Sequence, residues 1–176
     1  MGVRRRIAHL IAIFVVIGGG IVGVAAAPAH ALSCCDGLLR SDANHKYVSV
    51  ELGYGTTSPY RGMLRARASS SVGPWEQFEF CWGVQNNPGH LAIRSLANGK
   101  WVAAELGRTG RDYGMLRARS TSIGPWETFS GLTGLKNTTN LKWVTVELGQ
   151  TGSRDAMLRA RANSYGPWEH FTNPGP

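Results

Sequence analysis

Residues 46–53 read Lys46-Tyr47-Val48-Ser49-Val50-Glu51-Leu52-Gly53. The pattern returns as Lys100-Trp101-Val102-Ala103-Ala104-Glu105-Leu106-Gly107 and again as Lys142-Trp143-Val144-Thr145-Val146-Glu147-Leu148-Gly149. Three copies of one octet imply an internal repeat, and the flanking sequence confirms the phase. Downstream, Met63-Leu64-Arg65-Ala66-Arg67 matches Met115-Leu116-Arg117-Ala118-Arg119 and Met157-Leu158-Arg159-Ala160-Arg161. Further on, Gly73-Pro74-Trp75-Glu76-Gln77-Phe78 matches Gly124-Pro125-Trp126-Glu127-Thr128-Phe129 and Gly166-Pro167-Trp168-Glu169-His170-Phe171. Upstream, Arg40, Arg94 and Lys136 each stand six residues before the repeated lysine.

The period is 42 residues from Glu105 to Glu147 and 54 from Glu51 to Glu105, so the first unit carries twelve extra residues. Two fall in the stretch from Tyr54 to Tyr60, one in Ser69-Ser70-Ser71, and nine between Phe78 and Arg94. Insertions tolerated at such places mark loops. The residue 79–90 insert is therefore read as the longest loop.

Each unit holds four short runs of strand character separated by Gly, Asn, Ser or Pro, with no sustained helical periodicity. In the second unit they are Leu91 to Ser95, Lys100 to Glu105, Met115 to Ser120 and Trp126 to Ser130, with Asn98-Gly99 as a tight turn between the first two. Three such units predict twelve strands in an all-β fold, a β-trefoil with pseudo-threefold symmetry. One unit alone cannot bury its apolar face, a propeller normally needs more blades, and an open solenoid needs caps. The expected layout is a leader at 1–31, a short cysteine-containing arm at 32–36, the trefoil at 37–172 and a tail at 173–176. The units are read as about 37–82, 91–131 and 132–172.

Period-two alternation turns Val48, Val50, Val102, Ala104, Val144 and Val146 inward, with Leu64, Leu116, Leu158, Ala66, Ala118 and Ala160. Arg65, Arg67 and their copies then point outward. Trp75, Trp126 and Trp168, each followed by a Phe three residues on, are expected to form the hydrophobic floor. Glu51, Glu105 and Glu147 are read as cross-strand partners of the arginines.

The chain opens with Arg4-Arg5-Arg6, an apolar run from Ile7 to Ala27 and Ala29-His30-Ala31, the order of a secretory signal peptide. The arginines also suit a twin-arginine route. A mature chain starting at Leu32 has 16 basic and 11 acidic residues, a net charge of +5. An exported protein whose arginines recur at repeat positions does not fit nucleic-acid binding. No membrane association is expected after cleavage, and the localisation is extracellular. Cys34, Cys35 and Cys81 imply one bridge and one free thiol, with either Cys34 or Cys35 as the partner of Cys81. Lipidation of Cys34 is the alternative that leaves Cys35 and Cys81 as the pair. A monomer is expected unless the spare thiol cross-links two chains.

Residues 97–105, Ala-Asn-Gly-Lys-Trp-Val-Ala-Ala-Glu, followed by Leu-Arg-Ala-Arg and Gly-Pro-Trp-Glu-x-Phe, resemble the fascin-like β-trefoil family over residues 37–172. Fascins join several trefoils to bundle actin, whereas isolated bacterial domains that resemble them are read as extracellular binding modules, commonly for polysaccharide. The Gln-x-Trp repeat of ricin-type lectins is absent from this sequence.

Catalysis finds little support. His45, His90 and His170 occupy unrelated repeat positions, and no nucleophile motif such as Gly-x-Ser-x-Gly is present. No cofactor or metal is expected. Binding is better sought where the units differ: Tyr54, Tyr60, Trp82, Tyr113 and Tyr165 lie in or beside turns, with Asn86, Asn87, Asp112 and Asp155 nearby. Aromatic faces beside amides and carboxylates suit sugar rings. Two functions fit: a polysaccharide-binding module, or a secreted adapter docking a secreted or cell-surface protein through the Cys34-Cys35 arm and the 79–90 insert. Actin binding by analogy with fascins stands third.

Overall fold

The computed structural model describes residues 31–69, 72–131 and 133–172. The proposed leader, apart from Ala31, lies outside these residues, as do the tail and Ser70-Ser71 of the serine insertion. Thirteen strands run through the described residues: β1 (Ser33–Gly37), β2 (Arg40–Ser41), β3 (Tyr47–Glu51), β4 (Met63–Ala68), β5 (Phe78–Trp82), β6 (His90–Ser95), β7 (Trp101–Ala104), β8 (Leu116–Ser120), β9 (Phe129–Ser130), β10 (Lys136–Asn137), β11 (Trp143–Glu147), β12 (Met157–Ala162) and β13 (Phe171–Thr172). Twelve of them, β2 to β13, are the four strands of each unit, and the fold is a β-trefoil. The thirteenth, β1, is made by residues expected to form only a short arm.

Outer strands join the units. β5 pairs with β6, β9 with β10, and β13 with β2, all antiparallel, so the last unit closes onto the first. The middle strands form three hairpins, β3–β4, β7–β8 and β11–β12, in which Val48 faces Ala66, Val102 faces Ala118 and Val144 faces Ala160. Each hairpin has a bulge just after its first residue. The hairpins meet around the pseudo-threefold axis through the pairings Met63–Arg117, Met157–Arg65 and Met115–Arg159. Three fully buried methionines, Met63, Met115 and Met157, form their own cluster there.

One asparagine per unit ties the turn into its hairpin. The Nδ2 of Asn44, Asn98 and Asn140 donates to the carbonyls of Ala66, Ala118 and Ala160 at 2.8, 2.9 and 2.8 Å. Its Oδ1 accepts from the amide of the lysine two residues on. The residue between them is left-handed in all three units. Gly99 (φ 66°) adopts that conformation freely, but His45 (φ 58°) and Leu141 (φ 56°) do so against their Cβ. Leu141 is 64% exposed and packs against little. Leu141→Gly should therefore raise stability by about 0.5–1 kcal/mol, the strain relieved exceeding the entropy that glycine adds to the unfolded chain. Urea melts with an unchanged slope are the measurement.

The inward valines, leucines and alanines are buried as expected. The floor differs. Phe78, Phe129 and Phe171 are 0, 0 and 1% exposed, whereas Trp75, Trp126 and Trp168 stand at 53, 36 and 58%. Proline, with its preset φ and missing N–H, starts a single 3₁₀ turn at Pro74–Glu76, Pro125–Glu127 and Pro167–Glu169. The strand expected from Trp126 to Ser130 is therefore only β9, and strand parity is broken between each Trp and its Phe. The glutamate of the turn points inward instead: the amides of Gly73 and Gly124 donate to Glu76 and Glu127 Oε2 at 2.8 and 2.9 Å.

The 79–90 insert also departs from expectation. Most of its first half is strand, because the extra residues lengthen the β5–β6 hairpin into five paired positions from Phe78–Ser95 to Trp82–Leu91. The new length of β5 gives β1 an edge to pair with, Cys34 opposite Cys81 and Ser33 opposite Trp82.

Candidate functional site

The Trp-bearing turns overhang the ends of the middle hairpins, so each indole stands beside a Glu-Leu-Gly segment. In the first unit Trp75, Glu76, Ser49, Val50, Glu51, Leu52, Gly53 and Arg67 enclose an open groove of about 440 Å³. In the third unit Trp168 lies beside Thr145, Val146, Glu147, Leu148, Gly149, Gln150 and Arg161 around about 320 Å³. Seven of the eight lining residues stand at the same positions of the repeat; Glu76 in the first groove and Gln150 in the third are the exceptions.

Cross-strand register supplies the charges. Glu51 pairs with Arg67, Glu105 with Arg119 and Glu147 with Arg161, the partners foreseen from the repeat. Each carboxylate is buried and each partner guanidinium is the exposed half, 9% against 55% for the first pair and 5% against 47% for the third. Arg161 Nη2 adds a second bond to Glu147 at 3.0 Å, and hydrogen bonding to Glu147 raises its pKa above the ordinary arginine value. Both grooves thus present an aromatic face beside fixed donors. Such a surface holds a ring that has apolar C–H faces and hydroxyl edges.

Arg65, Arg117 and Arg159 do not point into solvent as expected. Their side chains are 13, 13 and 8% exposed. Each clasps the neighbouring hairpin: Nε donates to the carbonyls of Asp155 (2.6 Å), Arg61 (3.0 Å) and Tyr113 (2.9 Å). The outer face of one hairpin is the packing face of the next, which single-strand alternation does not reveal. Burial lowers the pKa of Arg117 and Arg159, with Glu105 and Glu147 opposing the shift.

The residues singled out from the sequence fall in three places. Tyr54 and Tyr60, with ring centroids 5.9 Å apart, pack on the methionine cluster. Nearby, Arg154 lies 5.3 Å above the Tyr60 ring and pairs with Asp112 at 2.7 Å, which pulls the Asp112 carboxyl below its usual range. Asp155 pairs with Arg65 at 3.6 Å, and the Tyr113 hydroxyl accepts from Asn140 Nδ2 at 3.4 Å. This group knits the hairpins together. Tyr165 is apart, 42% exposed, its ring 4.9 Å from that of Trp143 in a recess of about 210 Å³ with Gly131, Thr133 and Gly134.

Trp82 and Asn86 form the third place, a cleft of about 330 Å³ with Ser33, Gly83 and Pro88, lined on its remaining side by Ala31, the last residue of the expected leader. Asn87 turns away from it, its Nδ2 3.3 Å from His90 Nε2. The cleft adjoins the Cys34–Cys81 disulfide, which decides the pairing left open by the sequence; Cys35 is free and exposed. Among the described residues no helix is long and apolar enough to cross a membrane.

Sequence reasoning missed the Trp75 and Trp168 grooves because it placed both indoles in the core. A signal was there: a proline directly before each tryptophan favours a turn over a strand. In a strand, moreover, Trp and a Phe three residues on would face opposite sides.

No family model matches the chain, and no curated protein matches it in sequence. Solved structures do. A designed threefold-symmetric protein, ThreeFoil, superposes with a TM-score of 0.59 at 19% identity, covering 77% of this chain and 95% of its own. The Rhizoctonia solani agglutinin superposes with a TM-score of 0.59 at 9% identity, covering 84% of this chain and 99% of its own. At such identities the likeness is one of fold, and the chain is a β-trefoil protein.

Proposed function

We propose that the chain is an exported, non-catalytic module that binds polysaccharide, with sugar rings stacked on Trp75 and Trp168. The observation that carries this reading is the exposure of two indoles, each in an open groove beside a fixed Glu–Arg pair. An indole left half in water at the same position of two units keeps apolar area that a stacked ring can still bury. The fascin-like resemblance points to the same class of extracellular binding modules, and an agglutinin shares the fold. Export is supported by the leader-like first 31 residues and by a disulfide of the kind that persists in oxidising compartments.

Retention on insoluble chitin, cellulose and xylan, competed by soluble oligosaccharide, tests this. Trp75→Ala and Trp168→Ala should each weaken retention at least tenfold, since one aromatic platform alone is worth on the order of 1–1.5 kcal/mol. Their melting temperatures should stay near that of the unmodified chain.

The adapter reading keeps one specific support, the cleft at Trp82 beside the pinned β1 strand. Retention on none of the polysaccharides, together with a stoichiometric protein recovered from culture supernatant and lost in Trp82→Ala, would establish it instead.

A further inference from the structure

The three Trp-bearing grooves are not equivalent. A Cβ built on Gly53 or Gly149 meets nothing within 4 Å, so the mouths of the first and third grooves are open. A Cβ built on Gly107 meets Trp126 Cη2 at 3.4 Å: in the second unit the indole leans onto the Glu-Leu-Gly segment. Trp126 is correspondingly the least exposed of the three.

The residue after that glycine differs as well. It is Tyr54 in the first unit, Gln150 in the third and Arg108 in the second. Arg108 turns back to its own unit's carboxylate, Nε 3.5 Å from Glu105 Oε2, while Nη2 donates to the Pro59 carbonyl of the first unit at 3.3 Å. Glu105 therefore faces Arg108, Arg117 and Arg119, whereas Glu147 faces Arg159 and Arg161. Arg108 thus adds beside the carboxylate a cation that the first and third units, with Tyr54 and Gln150 at that position, do not have.

We infer that the chain is bivalent: the grooves of Trp75 and Trp168 bind glycan, and that of Trp126 is closed by Arg108. This rests on the polysaccharide reading above. Two sites on one rigid barrel engage one polymer, or one insoluble surface, together, so loss of either costs more than a lone contact would.

The test is a set of adsorption isotherms on insoluble chitin, cellulose and xylan, read on whichever retains the unmodified chain. Trp75→Ala and Trp168→Ala should each raise the apparent Kd at least tenfold, and the double variant at least a hundredfold. Trp126→Ala should leave it within twofold. Arg108→Gln, which places the third unit's residue in the second, should tighten binding at least threefold and restore most of the loss in a Trp75→Ala background. Thermal melts of every variant show that the fold is kept.

If Trp126→Ala weakens binding as much as the other two, or Arg108→Gln restores nothing, bivalence by self-closure is wrong while the polysaccharide reading stands. If the unmodified chain is retained by none of the three materials, the polysaccharide reading itself falls, and bivalence with it.

Discussion

Phe129→Ala is expected to lower the unfolding free energy by about 3–5 kcal/mol, because a fully buried aromatic loses its transfer energy and leaves a cavity. Phe129 is 0% exposed and shares the single large core with Phe78, Phe171 and the inward Leu and Val side chains, so no solvent can fill the gap cheaply. For a domain of this size that is roughly 10–20 °C in melting temperature. Trp168→Ala, at the turn tryptophan of the third unit, should cost less than about 1 kcal/mol, since its indole is 58% exposed over a turn at the surface. Calorimetry of both variants measures the contrast. Equal losses would mean that the tryptophans support the core after all, and the groove assignment would lose its basis.

The second large effect concerns the disulfide. Cys34 and Cys81 are 47 residues apart, and cross-linking them removes about 4 kcal/mol of chain entropy from the unfolded state. The bond joins β1 to β5 at directly paired positions, and among the described residues β1 has no other neighbour in the sheet. Cys34→Ser with Cys81→Ser, or reduction by thiol, should therefore lower stability by about 2–4 kcal/mol and free the β1 amides to exchange. Cys35→Ser should change neither. Denaturant melts with and without reductant, with hydrogen exchange of residues 33–37, give the result. Exchange of β1 that is no faster after reduction would show that the strand holds by its backbone pairing alone.

Much of the fold was legible because it is local and repeated. Val48, Val102 and Val144 recur in phase with Leu64, Leu116 and Leu158, and strict alternation places them on one face whatever the neighbouring unit does. The Glu51–Arg67 pair and its copies were equally legible, since glutamate and arginine lie on adjacent strands of one hairpin. The candidate site was legible in part. Trp82 and Asn86 do share a cleft, but most of the turn tyrosines and aspartates are joints between hairpins, an arrangement that needs the neighbouring unit in place to be seen.

By itself, then, the sequence determined the trefoil, its inward-facing residues and the hairpin charge pairs, because each depends on residues close in the chain and repeated three times. The proline before each tryptophan also encoded the turn that sends Phe rather than Trp to the floor, since it breaks strand parity. The tertiary structure alone decided three other matters. It turned Arg65, Arg117 and Arg159 into clasps, since their outer face is covered by a hairpin from another unit. It chose Cys34 over Cys35, because the register between β1 and β5 puts Cys34 opposite Cys81. And it set Glu105 apart from Glu51 and Glu147, because one side chain, Arg108, reaches both Glu105 and the Pro59 carbonyl across a unit boundary that the linear repeat does not show.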